Sequence, residues 1–164
     1  MWCKKMCWLY REFAVKMEDK KIEKEKIPLL GICFGHQIIA QALGGKVEKF
    51  SGGWSVGIQE YNWNGESMYL NAWHQDQVIE KPEKAKVLAE SSFCKYAALS
   101  YGNTILTTQP HPEFTHEVIK GLVETRGKGR VPENLLNEAL SNFDMEVSLN
   151  EIVNKFSTLL HGGR

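Results

Sequence analysis

The chain has 164 residues, of which 43% are apolar, with 20 Lys and Arg balanced against 20 Asp and Glu. That supports one domain with its own core, read here as residues 1–164, and excludes a disordered chain. The charge balance provides no net field for nucleic acid or anionic lipid, and no segment reaches the roughly 18 uninterrupted apolar residues of a membrane helix.

In chain order, residues 4–26 read as a helix, with Trp8, Phe13 and Val15 among many charges. Its MEDKKIEKEK run is a solvated mixed-charge face or linker. The opening MWCKKMCWLYREF carries lysines inside its apolar stretch and has no small-residue cleavage site, so it does not read as a secretion signal. Residues 27–32 form a short apolar run with Pro28 at its start, where a strand tolerates proline. The absence of alternation predicts a strand buried on both faces, as in a parallel α/β sheet. Residues 37–43 take helical spacing from Ile38, Ile39, Ala42 and Leu43, and Gly44-Gly45 ends the run.

Strand-like segments then follow at 46–50, 56–61, 67–72, 86–89, 97–101 and 104–109, separated by turn signals such as Ser51-Gly52-Gly53, Asn64-Gly65 and Gly102-Asn103. A helix is predicted from 114 or 115 to about 124, then a basic loop, TRGKGR, and one or two helices within 131–160. Cys3, Cys7, Cys33 and Cys94 form no C-x-x-C pair and no disulfide framework, which implies a reducing, cytoplasmic setting. Cys3 and Cys7 share a helical face without a nearby histidine and read as packing residues.

The chemistry concentrates in two segments. In GICFGHQ, Cys33 stands between Gly31 and Gly35 at the point where strand gives way to helix, the form of a nucleophile elbow. Small residues flank such a tight turn to avoid clashes. The helix behind it favours a thiolate, and the N–H of Phe34 points toward a developing oxyanion. The turn alone leaves a second reading open, a small residue packed where strand crosses helix. In QPHPEF, two prolines restrict the backbone around His111, and Glu113 follows close enough to hold one imidazole nitrogen. Both segments end predicted strands, so both can meet at the C-terminal edge of one parallel sheet.

GICFGHQ, QPHPEF and WHQDQV (73–78) together resemble the class I, triad-type glutamine amidotransferases, and most resemble their GMP-synthase-like stand-alone branch. The likeness runs over 27–114. It implies a flavodoxin-like α/β sheet flanked by helices, with a smaller antiparallel part and a helical C-terminal tail. It also implies cysteine thioester hydrolysis of glutamine or a γ-glutamyl amide, without a cofactor. Cys33 would be the nucleophile, His111 the base and Glu113 its orienter. Phe34 would give an oxyanion N–H, and Gln37 with the backbone at Trp73, Gln75 and Asp76 would hold the substrate. Trp73 departs from the small polar residue often found there.

The family pattern further implies about two strands and a glycine loop before the elbow strand. Here no glycine precedes Gly31 and 26 residues precede Ile27, so a truncated or rearranged member is expected. No Gly-Lys-Ser/Thr phosphate loop occurs, so a synthetase accepting the ammonia would be a separate protein. A non-catalytic interaction subunit is the alternative. A metal site at His74, Asp76, His111, Glu113 and His116 matches no helical zinc motif. His36 and His161 read as surface or packing residues.

Overall fold

The computed structural model describes residues 27–161; the helix expected over 4–26, with Cys3 and Cys7, lies outside them. Strand β1 (Leu29–Ile32) leads through Cys33 into α1 (Phe34–Ala42). Strands β2 (Lys46–Lys49), β3 (Ser55–Trp63), β4 (Glu66–His74) and β5 (Asp76–Glu80) follow. Then come β6 (Lys86–Glu90), β7 (Ala98–Tyr101) and β8 (Ile105–Thr108). The chain closes with α2 (His116–Leu122), a π turn (Val123–Gly127), α3 (Glu133–Ser141) and α4 (Leu149–His161).

Six strands form one sheet in the order β1-β8-β7-β6-β3-β4, and β2 pairs with β5 in a separate ribbon. Among the described residues only β1 and β8 run parallel; every other neighbouring pair is antiparallel. For the consecutive pairs β3–β4, β6–β7 and β7–β8 the connections dictate this, because a short return runs the chain antiparallel, whereas parallel neighbours need a long crossover. Asn64 (φ 51°) and Gly65 (φ 93°) make the two-residue turn between β3 and β4 that an Asn-Gly pair favours. The antiparallel strands therefore extend the same sheet that carries β1, alongside the smaller ribbon.

The sheet is covered on both faces. In β8, Ile105 joins the core beneath α1 with Ile39, Leu99 and Tyr101. Its neighbour Leu106 points the other way, into the core of Tyr61, Trp63, Leu70 and Ile152. This is the period-two alternation of a strand. A third core of Val56, Ile119, Val123, Leu136 and Ala139 lies under α2 and α3. All four β8 residues are buried, whereas in β1 only Gly31 is. The double-sided burial expected of β1 thus belongs to its partner. The reason is position: among the described residues β1 has a neighbour on one side only.

The sequence pattern predicts no strand at 76–80. There β5 pairs with β2, setting Val78 opposite Val47 and Asp76 opposite Lys49. No helix among the described residues is long and apolar enough to cross a membrane.

Candidate active site

The two chemical segments sit at the ends of the parallel pair. β1 and β8 run in register from Leu29 opposite Ile105 to Ile32 opposite Thr108, and Cys33 N–H continues the ladder to the Thr108 carbonyl at 2.8 Å. Chain direction thereby delivers Cys33 and the segment from Gln109 onward to the same edge.

Cys33 adopts φ 49°, ψ −99°, a left-handed conformation that a non-glycine residue holds only where its surroundings impose it. It is the N-cap of α1, and its carbonyl accepts from Gln37 N–H at 3.0 Å. The elbow's closeness is visible at Gly31. A Cβ there would meet Ile39 Cδ1 at 2.7 Å and the carbonyl carbon and oxygen of Gly35 at 2.9 Å. At Gly35 a Cβ would meet nothing within 4 Å. The steric reason expected for both glycines therefore applies to Gly31 alone.

His111 Nδ1 lies 2.7 Å from Glu113 Oε1, and its ring stacks on Phe114 with centroids 3.8 Å apart and planes within 9°. Burial pulls the imidazole down, but hydrogen bonds to Cys33 and Glu113 outweigh it and hold the group up at about 9. Burial works against ionised Glu113, yet its bond to His111 and a local backbone bond keep that carboxyl below its ordinary value. The structure thus brings Cys33, His111 and Glu113 to one place, with His111 bonded to Glu113 and the Cys33 sulfur near enough to help raise the imidazole.

Two residues that the sequence reading missed support this series. Asn71 on β4 clamps the His111–Phe114 turn: its carbonyl accepts His111 N–H at 2.7 Å, and its Nδ2 donates to the Phe114 carbonyl at 2.8 Å. Gln109 is fully buried and donates from Nε2 to Cys33 Sγ at 3.5 Å. Of the residues expected on the substrate side, Gln37 is buried, and its Nε2 already serves the Asp76 carbonyl at 2.8 Å and Gln109 Oε1 at 3.1 Å.

Trp73 pairs with Val56 across β3 and β4, and its ring lies edge-on to Trp54. The Gln75 carbonyl accepts from Phe50 N–H at 3.0 Å, and Asp76 opens β5. Phe34 occupies the first position of α1.

Of the two readings of His36, surface or packing, the structure shows the second. It is wholly buried, with Nδ1 2.8 Å from Thr107 Oγ1. Burial, with a smaller push from His74, lowers it to about 3. His74 is likewise buried and lowered to about 4, by burial first and His111 second. His116 stacks on Phe143 rather than joining the cleft. A cleft of about 790 Å³ lined by Gln59, Glu60, Asn62, Ser67 and Glu90 lies toward the other end of β3 and β4 and includes none of these residues.

A thiol lifted by a strand–helix turn and facing an imidazole–carboxylate pair from the adjacent parallel strand is the layout of α/β proteins with a cysteine nucleophile. Residues 11–124 match the family described as glutamine amidotransferase class-I. The chain belongs to that family.

Over 137 residues it is 33% identical to γ-glutamyl peptidase 5 of Arabidopsis thaliana, covering 75% of this chain and 51% of that protein. Over 112 residues it is 39% identical to a subunit of the glutamine-hydrolysing GMP synthase of Sulfurisphaera tokodaii, covering 59% of each. A putative glutamine amidotransferase-like protein of Schizosaccharomyces pombe is 31% identical over 148 residues, covering 85% of this chain and 57% of that protein. The chain thus spans little more than half the length of these curated relatives. In fold it matches a glutamine amidotransferase from Thermotoga maritima with a TM-score of 0.72 at 22% identity, over 96% of this chain and 72% of that one.

Proposed function

We propose that this protein hydrolyses the side-chain amide of glutamine or of a γ-glutamyl compound through a thioester on Cys33. The observation that carries the reading is the left-handed Cys33 turn set against the His111–Glu113 pair. Cys33 gives its proton to His111, and the sulfur attacks the amide carbon. The carbonyl oxygen takes up the charge and meets the N–H of Phe34. When the C–N bond breaks, His111 returns the proton to the departing nitrogen. The same imidazole then takes a proton from water, which attacks the thioester; the C–S bond breaks to release glutamate, and the proton held by His111 is available to the returning sulfur anion, restoring the starting pair. Glu113 holds the ring throughout, and the raised imidazole suits it to a cationic state beside a thiolate.

Gln37 Oε1 and the corner from Trp73 to Asp76 bind the amino-acid end of the substrate in this reading. Its support is family membership, together with relatives named as a γ-glutamyl peptidase and as a subunit of a glutamine-hydrolysing GMP synthase. Ammonia is passed to a separate synthetase where one is present, and the setting is cytoplasmic. The test is ammonia and glutamate release from glutamine and from a γ-glutamyl dipeptide. Wild type should exceed Cys33→Ala by at least about 10³-fold. Equal rates for the two proteins would sink the proposal.

A further inference from the structure

Gln109 lies one residue past β8 and two before His111, and it is wholly buried. Its backbone N–H is fixed to the Ala97 carbonyl at 2.7 Å. Its side chain lies between Gln37 and the sulfur of Cys33, and which end faces which is determined by chemistry. Gln37 must present its nitrogen to the Asp76 carbonyl, since only a donor can bond there. That same nitrogen reaches Gln109, so Gln109 must turn its oxygen toward Gln37. Its own nitrogen is then directed at Sγ. The opposite orientation would set the two NH₂ groups against each other. The series Asp76 carbonyl, Gln37, Gln109, Sγ therefore has one sense only, and it ends in a donor at the sulfur.

A thiolate accepts hydrogen bonds far better than a neutral thiol, because a charged acceptor strengthens the bond. We propose that Gln109 is a catalytic residue of this site, donating to Cys33 Sγ and stabilising its anionic form, with Gln37 as the positioning residue that fixes the amide. The bond matters at two points of the reaction. It favours the sulfur anion after the proton has moved to His111 and before the S–C bond forms. It acts again when the C–S bond breaks and the electron pair returns to sulfur. Gln37 also ties this donor to the opening residue of β5, so the sulfur's partner and the corner assigned to the substrate are held by one side chain. The inference rests on Cys33 being the reactive thiol of the site.

The test reads the sulfur directly and needs no substrate. Cys33 is alkylated with iodoacetamide across a pH series and the products are followed peptide by peptide. Buried Cys94, whose burial pushes it up to about 12, serves as the slow internal reference. Gln109→Met keeps the side chain's length and removes the donor. Its alkylation midpoint should rise by about one pH unit, with a roughly tenfold slower reaction below both midpoints.

Gln37→Glu makes the same demand without altering Gln109, and applies if Gln109→Met does not fold. A carboxylate at 37 accepts from the Gln109 nitrogen, turns the amide over and sets its oxygen against the sulfur. Its midpoint should also rise. A profile superimposable on wild type in either variant, at a matching denaturation midpoint, would overturn the proposal. If instead wild type and Cys33→Ala release ammonia equally while the alkylation shift is present, the amidase reading fails and the role of Gln109 toward the sulfur stands.

Discussion

Substituting Gly31 and Gly35 separately gives a sharp check on the elbow, because sequence treats the two glycines alike and the structure does not. In Gly31→Ala the new Cβ overlaps the tip of Ile39 at 2.7 Å and the backbone carbonyl of Gly35 at 2.9 Å. Ile39 can rotate away, but the carbonyl is part of the first turn of α1 and moves only with the helix. Overpacking of this kind costs about 1–3 kcal/mol. At about 2–4 °C for each kcal/mol in a protein of this size, the melting temperature should fall by roughly 2–12 °C.

Gly35→Ala meets open space. It replaces a helical glycine and should stabilise by about 0.5–1 kcal/mol. Adding Ile39→Val to Gly31→Ala removes the first overlap and leaves the second, so rescue should be partial. Urea denaturation of the four proteins, read by tryptophan fluorescence, measures these differences. Gly31→Ala as stable as wild type, or Gly35→Ala destabilised to the same degree, would refute the steric account.

Two further expectations concern buried polar groups. Asn71→Ala leaves the Phe114 carbonyl without its donor and loosens the turn that carries His111, which keeps its backbone bond to residue 71. It should lose about 1–3 kcal/mol of stability in denaturation, and roughly tenfold to a hundredfold in kcat with a smaller change in KM, in steady-state kinetics. His36 and His74 are held neutral, at about 3 and about 4, below the 6.5 of an exposed histidine. Their contribution to stability is complete above pH 6.5 and is lost as pH falls toward those values. His36→Asn, which keeps a polar atom for Thr107 and cannot titrate, should flatten that acid decline; an unchanged slope in denaturation across that window would count against it.

What can be read from the sequence divides by the range of the interaction. The Asn64-Gly65 hairpin, the Cys33 elbow and the His111–Glu113 pair are local, because each depends on residues within a few positions of one another. β5 is hidden because Asp76 and Gln77 look like turn chemistry, and only pairing with β2 makes 76–80 a strand. His36 leaves surface and packing undecided in the sequence for a related reason. It sits in the polar run Gly35-His36-Gln37, and the contact that reveals its burial, Thr107, lies 71 positions away. Gln109 stands in the very segment that identifies His111, yet its task is legible only from Cys33, 76 positions earlier.

The parallel pairing of β1 with β8 also sets when Cys33, Gln109 and His111 can first meet. Leu29 and Ile105 are 76 positions apart, and the chain between them contains every other described strand of that sheet. Bringing such distant segments together costs loop entropy that local contacts do not, so pairings of this kind form slowly. A nascent or misfolded chain carries Cys33 as an ordinary thiol, with neither imidazole nor amide beside it. Labelling of Cys33 during refolding would time the closure of this long-range pairing.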